Sequence, residues 1–339
     1  MFISAQLTYA YVEKKFYIQP LVIISFIFSI SYLAAQKDWT YKTGESSVGI
    51  VQANIAPEIK WDFSYTKKIL HTYSTLTNQL SNHDLIIWPE TASPVTYNDA
   101  QILIDSLRQF TQANDNTVIL GIVKEVSDQM SAQSFGNYFN SIVAISANTP
   151  LYFYNKHKLL PFGEYTPFES ILLPLKELLQ IPMSTFMAGD ANQAIFSKDN
   201  IIASIYLCYE DLFPHYVRKQ ASTANLLIAI SDDAWFGFSQ GAYQHLLIAR
   251  VRAAELGRHL VRATNTGISA FINHKGNIVK RTGELHTQAT LSAQVELRQG
   301  KTPFATYGST PLLFIIMLVI LGCIVPCFYT LMHNMSNND

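Results

Sequence analysis

Three residues of types that can take part in nucleophilic catalysis follow or lie near segments that the sequence predicts to be strands. Glu90 follows IIWP, Lys156 lies in YNKHKLLPFGEY, and Cys208 ends the apolar run IIASIYLC. A cysteine can act as a nucleophile, a glutamate in apolar surroundings as a general base, and a lysine as the partner of an oxyanion. Their occurrence together, in the order Glu, Lys, Cys, favours a catalytic role for each of them.

Each of these residues also has a structural interpretation when it is taken alone. Cys208 could be an inert buried cysteine, and Glu90 could be a solvated carboxylate in a loop. Lys156 and Lys158 could form a basic patch beside lipid headgroups. Cys208 is the only cysteine outside the apolar stretch at 311–332, so no disulfide within the domain can consume it.

Alternating strands and helices must position these residues. Runs rich in β-branched residues predict strands at 47–54, 84–89, 117–123, 140–146, 201–208, 224–231 and 268–273, the last continuing into a hairpin. Apolar residues at helical spacing predict helices at 62–82, 99–113 and 241–257. This order of elements indicates an α/β domain in which helices cover the faces of sheets.

Composition limits the class of protein. Of the 339 residues 49% are hydrophobic and 14% are charged, so the chain has ample material for a core and is not disordered. Its 24 basic and 25 acidic residues give a net charge of −1, which argues against a nucleic-acid partner. We find no zinc-type Cys/His spacing and no nucleotide-binding glycine motif, so no metal and no cofactor are expected.

Two long uncharged stretches predict membrane-spanning helices at 16–36 and 311–332. The alternatives are a signal peptide with a weak cleavage site at YLAAQ for the first stretch, and a buried core helix for the second. The predicted domain at 45–300 lies between the two spans. Residues 1–15 resemble the end of a further membrane helix, and residues 333–339 form a short tail.

Longer motifs identify a family resemblance. The order IIWPE, YNKHKLLPFGEY and CYE resembles the nitrilase, or carbon–nitrogen hydrolase, superfamily. Together with it, VGIVQANIAPEIKWD, KLLPFGEYTPFESI, DDAWFG and TPFATYGSTPLL resemble the apolipoprotein N-acyltransferase family, over roughly residues 37–332. The resemblance implies a four-layer αββα nitrilase-like sandwich flanked by two transmembrane helices. It also implies a bacterial inner-membrane protein with its catalytic domain in the periplasm and its short tail in the cytoplasm.

The resemblance implies a reaction in two steps. In the family, a cysteine attacks an acyl ester of a phospholipid, usually phosphatidylethanolamine, and forms a thioester. The acyl group then passes to the α-amine of the diacylglyceryl-cysteine at the start of an apolipoprotein. By this resemblance Cys208 is the nucleophile, Glu90 is the general base, and Lys156 stabilises the oxyanion.

The resemblance also implies supporting residues. Glu164 matches a family glutamate that orients and pairs the lysine. Glu210, beside the nucleophile, and Trp61, in the KWD motif, match functionally important positions, the first as a support and the second as a substrate contact. The backbone N–H groups near Cys208 and Tyr209 are expected to share the stabilisation of the oxyanion.

The sequence also departs from the family. Fewer apolar helices precede the domain than in the family, so an inactive truncated fragment remains an alternative, as does a membrane-tethered amidase that uses water as the acceptor. The family run SNDAWFG reads SDDAWFG here, which places the charge of Asp232 where an amide is usual. Arginines at 250, 252, 258 and 262 are interpreted as solvated charges or partners of Glu255 in preference to lipid-headgroup contacts.

Overall fold

Two six-stranded sheets form the centre of this computed structural model, which describes residues 18–126, 138–167 and 186–317. In chain order the strands are β1 (Thr40–Gln52), β2 (Leu85–Ile87), β3 (Thr117–Glu125), β4 (Tyr138–Ser146), β5 (Tyr152–Asn155), β6 (Phe196–Lys198), β7 (Ile201–Leu207), β8 (Leu226–Ser231), β9 (Leu260–Thr264), β10 (Ala270–Ile272), β11 (Ile278–Arg281) and β12 (Ala289–Gly300). The α-helices are α1 (Ile18–Gln36), α2 (Pro57–Lys60), α3 (Thr66–Asn78), α4 (Gln101–Asn114), α5 (Pro214–Gln220), α6 (Gly241–Leu256) and α7 (Pro303–Tyr307). In the described ranges, 3-10 helices cover Phe63–Tyr65, Cys208–Leu212 and Asp233–Phe236.

Both sheets mix parallel and antiparallel pairs. The first has the order β12-β1-β2-β3-β4-β5, and its pairs β1·β2 and β2·β3 are parallel. The second has the order β11-β10-β9-β8-β7-β6, and its pairs β7·β8 and β8·β9 are parallel. Because parallel strands end at the same edge of a sheet, each sheet gathers the loops that follow its parallel strands.

Side chains alternate between two apolar layers along the central strands. Val48 and Ile50 of β1 pack in the core between the two sheets, whereas Val51 packs in the layer beneath α3 and α4. A third apolar layer lies between the second sheet and the helices α5 and α6. Helix, sheet, sheet and helix therefore follow one another, and the predicted four-layer αββα sandwich is confirmed.

The strand that leads to Glu90 is tied to the helix layer by a tryptophan. Trp88 is fully buried, its indole N–H donates to the Thr77 hydroxyl at 2.9 Å, and its ring stacks on Tyr73 with 4.5 Å between centroids. Aromatic pairs of this kind add about 1 kcal/mol to the burial of their area. The end of β2 is thereby fixed against α3.

The predicted elements are found, and several short or polar strands were missed. The expected helix at 62–82 divides into the 3-10 helix and α3, because the Asp62 carboxylate accepts the Ser64 N–H at 2.9 Å and begins a separate turn. Missed strands are β5, β6, β9 and β12. The last of these begins at Ala289 and alternates apolar with polar residues, with Leu291, Val295 and Leu297 in the core between the sheets, so its signal was present in the sequence.

The chain divides into a unit of residues 1–41 and a unit of residues 42–339. The first unit contains α1, after which the Trp39 indole donates to the carbonyl of Ala34 at 3.1 Å. Within the described ranges, no helix is long and apolar enough to cross a membrane. Of the predicted second span, residues 318–332 lie outside the described residues, as do the predicted segments 1–15 and 333–339.

A cluster of charged side chains is buried at the edge of the second sheet. Asp233 accepts hydrogen bonds from the Ser231 hydroxyl at 2.8 Å and from Arg262 at 2.9 Å. His245 lies between two carboxylates, with Nδ1 2.9 Å from Asp233 and Nε2 3.1 Å from Asp211. Arg262 is fully buried here, so its interpretation as a solvated charge was wrong.

The carboxylates decide the charge of His245. Burial and the nearby Arg262 lower the pKa of His245, but Asp211 and Asp233 outweigh them and raise this pKa to about 9. Burial alone would raise the pKa of Asp233, yet Arg262 and His245 hold it well below its ordinary value. The cluster therefore contains two cations and two carboxylates at neutral pH.

Protonation of His245 predicts a pH-dependent stability. Because its pKa in the folded protein is about 9, above the ordinary 6.5, its contribution is complete below pH 6.5 and is lost as the pH rises through 9. A shift of this size corresponds to about 3 kcal/mol. Denaturant unfolding of the purified chain between pH 6 and 10 measures this loss.

The variant His245→Gln should lack that part of the pH dependence, because glutamine does not titrate. His71 is exposed on α3, so His71→Gln should keep the full slope and serves as the matched control. An equal slope in wild type and His245→Gln would contradict this account of the cluster.

Candidate active site

The loops that follow strands of both sheets meet at Glu90, Lys156 and Cys208. Glu90 follows β2 and Lys156 follows β5, which runs in the same direction as β3 because two antiparallel pairs separate them. Cys208 follows β7 of the second sheet. The structure thus brings together the three residues that the sequence analysis singled out, and the charges of Glu90 and Lys156 both act on the Cys208 thiol.

Gly121 on β3 allows the turn at Glu90 to approach the sheet. A Cβ atom at this position would lie 2.4 Å from the backbone N of Thr91 and 2.6 Å from the Cα of Glu90. Thr91 takes a left-handed φ of 45°, and the Gly121 N–H donates to the carbonyl of Pro89 at 3.1 Å. Only glycine fits this close contact, which directs the Glu90 side chain.

The Glu90 carboxylate is buried, with 6% of its residue area exposed, so its interpretation as a solvated loop carboxylate was wrong. Its Oε1 accepts from Asn140 Nδ2 at 2.7 Å and lies 3.3 Å from Lys156 Nζ. Its Oε2 accepts the backbone N–H of Asp232 at 2.8 Å. These three donors fix the direction of both oxygens.

Lys156 is 1% exposed and does not belong to a surface patch. Its Nζ lies 2.9 Å from the Glu164 carboxylate, which also accepts Asn140 Nδ2 at 2.7 Å and the Leu160 N–H at 2.8 Å. Burial lowers the pKa of Lys156, but the charges of Glu90, Cys208 and Glu164 outweigh this and raise it. The side chain is therefore an ammonium group at any physiological pH.

Cys208 begins the 3-10 helix that follows β7 and takes a left-handed φ of 45°. This conformation is uncommon for a residue other than glycine and often marks a functional turn. Burial and the charge of Glu90 raise the pKa of the thiol well above its ordinary value, although Lys156 and a hydrogen bond with Ser231 lower it. At neutral pH the group is a thiol, so its reaction as a nucleophile requires a base.

Glu210 joins the turn at Cys208 to the segment that carries Lys156. One carboxylate oxygen accepts the backbone N–H groups of His157 at 2.8 Å and Lys158 at 3.1 Å. The other accepts the Leu207 N–H at 2.8 Å and the Tyr154 hydroxyl at 2.6 Å. Glu210 is fully buried, and burial raises its pKa although these hydrogen bonds lower it.

Trp61 and Tyr209 lie on more open parts of the chain. Trp61 follows α2 and is 53% exposed, and Tyr209 packs edge-on against Phe213 with 5.2 Å between centroids. Tyr209 also lines a cavity of about 470 Å³ next to the Cys208 turn. Its other lining residues are His157, Lys158, Leu159, Pro161, Tyr165, Ala188 and Phe213.

Sequence reasoning missed three residues of this site. Asn140 donates to both Glu90 and Glu164, and a polar residue at the start of the apolar run NSIVAIS was the only signal. Lys60 lies beside Trp61 but is buried and paired with Asp232 at 2.5 Å. Ser231 ends β8 and hydrogen-bonds with Cys208.

One group of possible metal ligands occurs in the part of the chain that the structure describes. His259, His274 and Glu296 each place a ligand atom within 4.8 Å of the others. However, His259 Nδ1 accepts the backbone N–H of Glu296 at 3.2 Å, so the proton of the neutral ring lies on Nε2, where a metal would need a lone pair. His259 also precedes β9, at the edge away from Cys208, so we assign this group no role in the reaction.

Comparison with known proteins agrees with this fold. The carbon–nitrogen hydrolase family model matches residues 47–301. One similar solved structure is a carbon–nitrogen hydrolase superfamily protein from Xanthomonas campestris, with an arsenic adduct in its active site. The two structures have a TM-score of 0.56 and 16% sequence identity, and the match covers 75% of this chain and 91% of that protein. An amidase of the nitrilase superfamily from Nesterenkonia has a TM-score of 0.54 at 15% identity, over 76% and 92%.

Two curated relatives are more similar in sequence. Apolipoprotein N-acyltransferase of Photobacterium profundum is 36% identical over 306 residues, and that of Vibrio parahaemolyticus is 34% identical over 331 residues. These matches cover 87% and 94% of this chain but only 58% and 63% of the relatives, so the chain spans about three fifths of their length. The chain has two mixed sheets and a buried Glu–Lys cluster beside a cysteine, and the family model matches well over half of its length. The chain therefore belongs to the carbon–nitrogen hydrolase family.

Proposed function

We propose that this chain is an apolipoprotein N-acyltransferase that uses Glu90, Lys156 and Cys208 as its catalytic residues. The observation that carries the proposal is the buried contact of Lys156 with two carboxylates beside a cysteine in a strained turn. The names of the curated relatives support the choice of reaction. The proposed acyl donor is a phospholipid such as phosphatidylethanolamine, and the proposed acceptor is a diacylglyceryl apolipoprotein.

In the first step the Cys208 sulfur attacks the ester carbonyl of the donor while the Glu90 carboxylate takes the thiol proton. The raised pKa of the thiol makes this base necessary. The Lys156 ammonium, with backbone N–H groups near Cys208 and Tyr209, stabilises the negative oxygen of the tetrahedral intermediate. The C–O bond then breaks, the lysophospholipid oxygen takes the proton from Glu90, and an acyl thioester remains.

In the second step the α-amine of the acceptor attacks the thioester carbonyl. Glu90 takes a proton from the amine, and the C–S bond breaks to give an amide. The proton returns to the sulfur, so the enzyme regains its thiol and its carboxylate. Glu164 holds Lys156 in place through both steps, Glu210 supports the turn at Cys208, and exposed Trp61 contacts the substrate.

We also propose that membrane helices at 16–36 and 311–332 anchor a periplasmic catalytic domain at 45–300 in a bacterial inner membrane. Residues 1–15 and 333–339 would then be the end of a further helix and a cytoplasmic tail. Large apolar side chains of α1 support a lipid environment, because Phe26, Phe28 and Leu33 are each about two thirds exposed. Both proposed substrates are lipids, which a membrane-bound site can reach directly.

An amidase is the second candidate, because solved structures with the same fold include an amidase. The same three residues would serve, with water in place of the amine as the acceptor. The two functions differ in what releases the acyl group from the thioester.

A covalent acyl-enzyme is the first expected result. Purified chain mixed with phosphatidylethanolamine vesicles should gain the mass of one acyl chain at Cys208, because the thioester is the intermediate. Intact-protein mass spectrometry measures the adduct, and hydroxylamine should remove it. Cys208→Ala should gain no mass. Absence of the adduct on folded native chain would contradict the proposal and favour an inactive fragment.

The acceptor of the acyl group separates the two candidates. The adduct should persist in buffer and disappear when a peptide that begins with diacylglyceryl-cysteine is added, with the acyl group appearing on that peptide. The same peptide with an acetylated α-amine is the control and should leave the adduct intact. Rapid loss of the adduct without any peptide would instead support the amidase.

Glu210→Gln should weaken both the fold and the reaction. The amide NH₂ that replaces one oxygen would face donors, either Leu207 and Tyr154 or the backbone of residues 157–158. Loss of such charge-assisted bonds costs about 2 kcal/mol or more. We expect a lower unfolding temperature and at least roughly tenfold slower acyl-enzyme formation. Glu58→Gln, at an exposed position on α2, is the control, and an unchanged unfolding temperature in Glu210→Gln would refute this role.

A further inference from the structure

A second buried lysine contacts the backbone carbonyl of Glu90. Lys60 ends α2 and is 5% exposed. Its Nζ donates to the backbone carbonyl of Glu90 at 3.2 Å and to Asp232 Oδ2 at 2.5 Å. The mechanism described above does not use this lysine.

Asp232 completes a ring of hydrogen bonds around Glu90. Its backbone N–H donates to Glu90 Oε2 at 2.8 Å, while its carboxylate accepts from Lys60. The path therefore runs from the Glu90 carbonyl through Lys60 and Asp232 to the Glu90 carboxylate. Both ends of the Glu90 residue are held, and its Oε1 remains directed at Asn140 and Lys156.

The ring is fixed to other elements of the fold. Asp232 Oδ1 accepts the Ala234 N–H at 3.2 Å, which caps the following 3-10 helix. Asn265, after β9, approaches the same carboxylate at 3.3 Å and exchanges two hydrogen bonds with the backbone of Ile55. The loops after β1, β2, β8 and β9 thus meet at the Lys60–Asp232 pair.

Lys60 also balances the charge around the proposed base. The charged and titratable groups that face Glu90 are the cations of Lys60 and Lys156, the carboxylates of Glu164 and Asp232, and the thiol of Cys208. The charge of Asp233 also acts on the thiol, and this carboxylate is paired with Arg262. The cations and the carboxylates are equal in number. Without Lys60, Asp232 would be a largely buried carboxylate next to Glu90 that has lost the cation paired with it.

We propose that Lys60 and Asp232 are positioning residues that hold Glu90 in its reactive orientation and keep the surroundings of Glu90 and Cys208 electrically neutral. The pair acts through Glu90 and does not contact the substrate. The proposal rests on the role of Glu90 as the base for Cys208. Its test therefore measures the reactivity of Cys208 in the absence of lipid, so the result does not depend on which substrate the protein uses.

The test is the pH dependence of Cys208 alkylation by iodoacetamide, followed by peptide mass spectrometry that separates Cys208 from Cys323 and Cys327. Loss of the Lys60 cation in Lys60→Met should move the rate profile to higher pH by about one unit, since a nearby charge shifts a titration by this order. Loss of the negative charge in Asp232→Asn should move the profile to lower pH. The double variant should return close to the wild-type profile.

Two further measurements distinguish an effect of the Lys60 charge at this site from the loss of any lysine, and from a failure of the proposed function. Lys67→Met, at an exposed position on α3, should leave the profile unchanged. Formation of the acyl adduct should slow at least tenfold in Lys60→Met, because the Glu90 carbonyl loses its donor and Asp232 loses the cation that holds it beside Glu90. If wild type forms no adduct while the opposite alkylation shifts remain, the proposed function fails and the Lys60–Asp232 proposal stands.

Shifts of the pH profile in the same direction for both single variants, or no shift in either, would overturn the proposal. Loss of packing alone gives no reason for the two variants to shift the profile in opposite directions. If Lys60→Met does not fold, Asp232→Asn decides alone. Its profile must move to lower pH, and an unchanged or opposite shift overturns the proposal.

Discussion

The site depends on keeping one lysine charged in the interior of the protein. Taking the ammonium of Lys156 out of water is costly unless carboxylates surround it, and Glu90 and Glu164 do so at 3.3 and 2.9 Å. Asn140 donates to both carboxylates and keeps them apart at the distance that the lysine requires. Removing any one of these groups leaves a buried charge without its partner, which costs more than an ordinary hydrogen bond. The stability of the arrangement therefore depends on all of its members together.

Such a unit needs rigid support from both sheets. Gly121 permits the turn at Glu90 to lie against β3, and Glu210 ties the turn at Cys208 to the backbone of His157 and Lys158. The Cys208 thiol and the Lys156 ammonium follow strands of different sheets, so a shift of one sheet against the other would change their separation. The apolar core between the sheets opposes such a shift, because its side chains come from both. Packing of the core between the sheets, far from the thiol, therefore helps to fix the separation of Cys208 and Lys156.

Much of this could be predicted from the sequence, for reasons that differ from residue to residue. β2 and β7 are continuous apolar runs because they are buried on both faces, and the polar residues that end them were visible as breaks. The alternation of Leu291, Ala293, Val295 and Leu297 with polar residues indicates β12, so this strand too could have been predicted from the sequence. Arg262 was misjudged because a charged residue is buried only when distant partners, here Asp211 and Asp233, neutralise it. Lys60 and Asp232 are 172 residues apart, and no local pattern shows that they meet.

The three groups that we propose as catalytic could serve either hydrolysis or transfer, so another part of the protein must determine the acceptor. A thioester at Cys208 reacts with whichever nucleophile reaches its carbonyl, and water is always the more abundant one. Transfer therefore needs a surface that binds a lipid acceptor and limits access of water. Several aromatic side chains on nearby loops are largely exposed, with Phe63, Trp235 and Phe238 each more than four fifths accessible. Exposed aromatic rings are poorly suited to water and well suited to the boundary of a bilayer. In the proposed reaction the buried cluster would provide the reactivity, and these loops would determine which nucleophile ends the reaction.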